Sequence, residues 1–236
     1  MQFMGFSFCR NLCPRSAARK ARGTWLILWA LSLLRSHPEL GGLAVVATVY
    51  YLAHQVLPTI FVLYADYRYG WNERTIGLSL AAVGVCVSLS SGLLVGPFVK
   101  RFGERHSLLF GLLFGCLAFT GFAMASRGWM IFAVIPLLGL WGIAGPAMQS
   151  LMSKRVDHTS QGKLQGAINS LRALTGMIGP LLFTQVFAVA ISPHVRVHVP
   201  GAPYFLAALL MLVSASVAYV VAKPALAQAQ PAGSPQ

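Results

Sequence analysis

The strongest chemical pattern in the sequence is a row of five residues, Gln165, Asn169, Arg172, Gly176 and Gly179, whose spacings of four, three, four and three put them on one face of a helix. Arg172 stands eight residues into an apolar stretch, about 12 Å along a helix axis. At the centre of a membrane helix an arginine costs about 2.5–3.5 kcal/mol on insertion scales. A side chain held at that cost either meets water or protein along its own face, or it reaches toward headgroups or a helix C-terminus. A second polar group, His54 and Gln55, interrupts another apolar stretch, with Tyr50 and Tyr51 one turn before it and Pro58 one turn after. Histidine is the side chain whose charge changes near neutral pH, so His54 is either a proton carrier or a satisfied structural histidine. Asp66, Glu73, Glu104 and Asp157 all fall in connections between apolar stretches. A carboxylate proton relay inside the spans is therefore absent.

Catalytic chemistry has no comparable support. Ser90-Ser91-Gly92 follows a leucine rather than a Gly-x pair, and the in-span histidine has no serine partner in the sequence. Phosphate-cradling glycine loops and metal-spaced His/Glu sets are missing. Cys9 and Cys13 form a CxxxC without accompanying histidines, while Cys86 and Cys116 lie inside apolar runs. Neither an enzyme nor a bound cofactor or metal is expected.

The elements that must position these residues follow from composition. Of 236 residues, 56% are hydrophobic and 10% charged, against about 25% charged in a soluble domain. With a mean hydropathy of +0.68, the chain requires a lipid solvent. The net charge of +13 sits in clusters separated by long apolar runs, so no phosphate-tracking stripe exists and nucleic acid is not an expected partner.

Six runs approach the roughly 20 apolar residues that a crossing needs: 43–63, 75–98, 107–125, 130–152, 164–191 and 203–221. The predicted fold is all-α, a six-span membrane bundle over 36–222. It is preceded by a basic segment, 1–35, whose eleven-residue apolar run from Thr24 to Leu34 is too short to span and suits the interface. Residues 223–236 are predicted to be disordered. Ser36-His37-Pro38-Glu39 reads as a capping box before the first span, and Asn72 as the cap of the second. Tyr64, Tyr67, Tyr69 and Trp71 at the end of the first run and Trp129 at the start of the fourth are interfacial aromatics, which puts those two connections on one side.

Lys and Arg set the orientation. Thirteen fall in the N-terminal segment, the two connections after the second and fourth spans, and the tail, whereas four fall on the opposite side. Both termini are therefore expected in the cytoplasm. No small-x-small cleavage site follows Leu34, which argues against a secretory signal. Gly84, Ser88, Gly92 and Gly96 form a small-residue stripe on the second span, with Gly111 and Gly115 on the third and Gly139, Gly142 and Gly145 on the fourth. Such seams let helices pack closely, and they also permit sliding or bending.

The stretch Gly96-Pro97-Phe98-Val99-Lys100-Arg101-Phe102-Gly103-Glu104-Arg105 resembles the cytoplasmic loop signature of the major facilitator superfamily, Gly-x-x-x-Asp-Arg-x-Gly-Arg-Arg. It departs from that signature in having Lys100 at the aspartate and Glu104 at the first of the paired basic residues. Three further stretches, 70–77 (GWNERTIG), 161–166 (QGKLQG) and 179–184 (GPLLFT), narrow the resemblance to the C-terminal half of tetracycline-resistance-type drug/proton antiporters, over residues 34–221. The resemblance implies one half of a twelve-helix transporter in a bacterial inner membrane. It implies alternating access that exchanges a drug-like substrate for a proton, and a partner that is a second half-transporter or another copy of the chain. On the matching residues, Tyr51, His54, Gln55, Asn169 and Arg172 would line the substrate and proton path. Gly96, Arg101, Gly103 and Arg105 would form a conformational latch, charge-swapped at Lys100 and Glu104, and Gly179-Pro180 would be a helix bend. A truncated gene fits the length, and the competing expectation is a membrane remnant or accessory protein that transports nothing.

Overall fold

A computed structural model describes residues 38–192 and 198–222. Eight α-helices carry the described chain: α1 Pro38–His54, α2 Val56–Tyr69, α3 Glu73–Leu89, α4 Val95–Met124, α5 Gly128–Trp141, α6 Ala144–Ser153, α7 Gln161–Ala190 and α8 Ala202–Val221. A π-helical turn, Ser90–Leu94, joins α3 to α4, and a 3-10 turn, His158–Ser160, precedes α7. The predicted N-terminal interfacial helix, the Ser36 cap and the predicted disordered tail lie outside the described residues.

Five helical runs among them are long and apolar enough to cross a membrane: Gly41–Tyr69, Glu73–Met124, Gly128–Ser153, His158–Ala190 and Ala202–Val221. The sequence predicts six, and the difference lies in the second run, where helix continues through the turn expected at 99–106. Its 52 residues would extend about 78 Å as a straight rod, against a hydrocarbon core of about 30 Å. The run is not straight. Gly103 has φ 76° and ψ 165°, a region only glycine occupies without strain. Phe98 and Phe110 meet edge-on at 5.7 Å between ring centroids, although residues twelve apart in a straight helix are separated by about 18 Å. The chain therefore folds back at Gly103. Gly103→Ala should destabilise the purified protein by about 1–3 kcal/mol. Gly96→Ala, also in open space but on regular helix, should be neutral or stabilising by up to about 1 kcal/mol. Thermal unfolding of the two variants in detergent checks this opposition of sign.

Prolines account for the other interruptions. Each lacks the N–H that would bond the carbonyl four residues earlier. Pro58 thus breaks the first run after His54, Pro97 accompanies the π turn, and Pro146 divides α5 from α6 at Gly142. The Gly142 carbonyl that Pro146 leaves unpaired accepts from the Ser91 hydroxyl at 3.4 Å.

Packing centres on α4 and α8, which are each other's main neighbours; α1 lies against α8 and α7, and α4 also meets α5 and α6. Small residues make these approaches possible, but not all the predicted seams are used. A Cβ on Gly111 would stand 2.7 Å from the Ala144 backbone nitrogen, and one on Gly115 would meet Trp141. Gly139 faces Cys86 and Ser90, and Gly142 faces Ser91 and Val87. By contrast, among the described residues nothing lies within 4 Å of a Cβ built on Gly84, Gly92 or Gly96. Among the described residues the longest glycine stripe has no packing partner, because it lines the open side of the helix from α3 into α4.

Aromatic residues fasten one end of the bundle. Tyr64 donates to Phe122 O at 2.9 Å, while Arg68 Nε and the Tyr69 hydroxyl donate to Ala125 O at 2.8 and 2.7 Å. These carbonyls end α4 and have no partner within the helix. Trp71 stacks near Phe132 at 5.6 Å, so the connection after α2 and the one before α5 are adjacent. Asn72 caps α3, its Oδ1 accepting from Thr75 N at 2.9 Å.

Candidate functional site

The break between α1 and α2 builds the site. With no Pro58 N–H to bond, the backbone turns at Gln55, whose N–H donates to Leu52 O at 3.1 Å. Tyr51, His54 and Gln55 therefore project from an irregular point within an otherwise apolar run. Across from them, α7 carries the polar face read from sequence. Arg172 Nη2 donates to the Tyr51 hydroxyl at 3.0 Å, and its guanidinium carbon lies 4.6 Å from the Tyr51 ring centroid, a cation–π distance. Two turns along, Gly179 is where α7 approaches the break most closely: a Cβ there would stand 2.5 Å from Gln55 Cβ. Gly176, one turn nearer Arg172, leaves room for the Gln55 amide, whose Nε2 would be 3.7 Å from an added Cβ. The small residues of the 165–179 face thus let Gln55 reach α7, as Pro180 frees the Gly176 carbonyl in the same turn.

The five residues grouped from sequence do not form one cluster. Tyr51, Gln55 and Arg172 come together between the first run and α7. Asn169 lies one turn before Arg172 on the same α7 face and is exposed. His54 turns the other way and stacks on Trp141 at 5.0 Å, beside Tyr50 at 6.4 Å. Gln165 accepts from Gln149 Nε2 at 3.2 Å, linking α7 to α6. Trp141 and Gln149 are thus members of the polar interior that sequence spacing misses. Trp141 reads there as span filler, and Gln149 as the end of a run.

The turn at 96–105 has its own contacts. Arg105 Nη2 donates to Tyr219 O at 2.8 Å, one of the last four carbonyls of α8, which have no partner within the helix. A cation is favoured at a helix C-terminus for the same reason. Arg101 is exposed and lies 5.8 Å from the centroid of the neighbouring Phe102 ring. Gly96 lies on regular helix and Gly103 makes the reversal. Glu104, one of the two departures from the family signature, receives Lys154 Nζ at 2.7 Å and the Ser150 hydroxyl at 2.6 Å. The contact ties the turn to the end of α6 and on to Lys154. Neither Ser150 nor Lys154 is legible as its partner from sequence, because nothing local pairs residues so far apart.

Partial burial pushes the Glu104 carboxyl up, but the hydrogen bonds from Lys154 and Ser150 and the Lys154 charge outweigh it, leaving the group below its ordinary value. A depressed carboxylate contributes stability that is present above its unfolded-state value and lost as pH falls through the folded one. The stability difference between wild type and Glu104→Gln should therefore be constant near neutrality and shrink as pH drops through the lower carboxylate range. Unfolding midpoints measured across that range test it.

The sequence matches the family model of the Major Facilitator Superfamily over residues 15–235. It is 36% identical to tetracycline resistance protein, class C, of Escherichia coli over 78% of this chain and 43% of that protein. It is 38% identical to the class G protein of Vibrio anguillarum over 66% of this chain and 40% of that protein. Human hippocampus abundant transcript-like protein 1 is 25% identical over 68% of this chain and 35% of its own length. The chain spans less than half the length of these relatives. An all-helical bundle with five membrane-length apolar runs, a glycine-hinged basic turn and a family match over most of its length leave one assignment: the chain belongs to the major facilitator superfamily of membrane transporters.

Proposed function

We propose that the bundle is one half of a drug/proton antiporter of the inner membrane, crossing the bilayer six times, with tetracycline-like molecules as its substrate class. The 52-residue run counts as two crossings, and the reversal at Gly103 supports that count. Both termini and the 96–105 turn then lie on the cytoplasmic side, which the Lys and Arg distribution supports. The substrate and proton path runs along Tyr51, Gln55, Asn169 and Arg172, with His54 at its edge. Gly96, Arg101, Gly103 and Arg105 hold one conformation, assisted by the Glu104–Lys154 pair, and Gly179-Pro180 is the bend.

The observation that carries this reading is the Arg172–Tyr51 contact. It joins a permanent charge to a phenol inside apolar helices, an arrangement that is expensive in lipid and useful beside a route for polar solutes. The open glycine stripe of α3 supports a facing body, either a second half-transporter or another copy, closing the path from the other side. Cells producing the chain should accumulate less tetracycline than cells with an empty vector, and an uncoupler should erase the difference. Accumulation equal to the empty vector, with the protein present in the membrane, would favour a non-transporting accessory protein.

A further inference from the structure

A groove of about 610 Å³ runs between α4 and α8, on residues that the substrate path does not use. Its walls are apolar side chains from 109–113 and 212–220, several of them strongly exposed: Leu113 and Leu212 are both 47% accessible and Val220 65%. One end is different. There His106 and Tyr219 line the groove, and Arg105 lies over the Tyr219 ring at 5.4 Å. The Arg105 guanidinium gives one hydrogen from Nη2 to Tyr219 O, and its Nε is buried with no acceptor among the described residues. His106 Nδ1 donates to Phe102 O at 3.0 Å, so its Nε2 donates to an anion only in the imidazolium form. The acid next in sequence, Glu104, is taken up by Lys154 and Ser150. The polar end therefore carries the permanent charge of Arg105, and the remainder is hydrocarbon-like. The two ends match a phosphate and an acyl chain.

We propose that this groove binds a phospholipid with an anionic headgroup, one acyl chain lying along Leu109, Leu113, Leu212 and Val220 and the phosphate meeting Arg105 and His106. The site requires only that the helices lie in a bilayer; it does not depend on the transport reading. The lipid belongs to the leaflet on the side of the 96–105 turn. Because Arg105 also holds the end of α8, an occupied site would brace the same turn that reverses at Gly103. A basic side chain near the surface favours an anionic lipid about fivefold, so the purified full chain should retain phosphatidylglycerol at least about fivefold over phosphatidylcholine of the same chain length.

Native mass spectrometry of detergent-purified protein titrated with the two lipids measures that ratio. The double variant Arg105→Gln/His106→Gln should bring it to about one without reducing phosphatidylcholine binding. Equal retention of the two lipids by wild type would overturn the proposal, as would an unchanged preference in the variant. Should the variant not fold, wild type photolabelled with phosphatidylglycerol carrying an acyl-chain diazirine decides. Adducts on 109–113 and 212–220 support the site. Labelling elsewhere, or cross-links at Leu212 to residues 24–34 or to a second copy instead of lipid, overturns it.

Discussion

Arg172→Ala is expected to reduce drug efflux to the level of an empty membrane while leaving the protein's abundance in the membrane unchanged. The two halves of this result come from one side chain. Removing an arginine from an apolar helix removes an insertion cost of about 2.5–3.5 kcal/mol, so the variant should insert at least as well as wild type. Truncation also leaves the Tyr51 hydroxyl, on a residue only 7% exposed, without its partner at 3.0 Å. An unpaired buried hydroxyl costs about 1–3 kcal/mol, and the site loses its fixed charge. Arg172→Lys keeps the charge but not the planar fork that both stacks on the ring and bonds its hydroxyl, and it should retain part of the efflux. Tyr51→Phe keeps the ring and loses the hydrogen bond, so its effect should be the smallest of the three. Tetracycline accumulation, with membrane abundance read by blot, gives the order; unchanged efflux in Arg172→Ala would remove Arg172 from the path.

Gly111→Val and Gly84→Val should fail in opposite ways. At Gly111 the added atoms would meet the backbone of Ala144 at 2.7 Å, and backbone cannot swing aside as a side chain does. Overpacking typically costs about 1–3 kcal/mol, and a β-branched residue against backbone belongs at or above that upper end. The α4–α6 contact should open, and the variant should be degraded or aggregate. At Gly84 nothing lies within 4 Å, so the isolated bundle should tolerate valine. If the α3 stripe meets a facing half, Gly84→Val should then retain abundance and lose efflux. Abundance and accumulation measured side by side separate folding from assembly: full efflux in Gly84→Val would detach the stripe from transport.

Much of the fold is legible in the sequence because lipid imposes a simple rule: a crossing needs about twenty apolar residues and satisfied backbone. Four of the five observed runs each overlap one predicted span, the fifth, Glu73–Met124, covers two, and Asn72 caps where expected. What sequence misses is where prolines act. Pro58, Pro97 and Pro146 sit within apolar runs, and hydropathy does not register an absent N–H. Residue spacing found the Arg172 face because that pattern is local to one helix. It could not give the contact of His54 with Trp141, and it left out Ser150 and Lys154 because their contact with Glu104 joins separate helices. The glycine stripe shows the same limit. Spacing identified a packing surface, but the spacing does not say what packs on it.

The account rests on the polar face of α7 bordering water inside the membrane. Asn169, exposed on that face one turn from Arg172, is the position to test in a chain whose four native cysteines are replaced by alanine. Asn169→Cys in intact cells should react with a membrane-impermeant maleimide, and tetracycline should slow the reaction. A cysteine that reacts only with a lipid-soluble maleimide, unaffected by drug, would put that face against acyl chains and contradict the account.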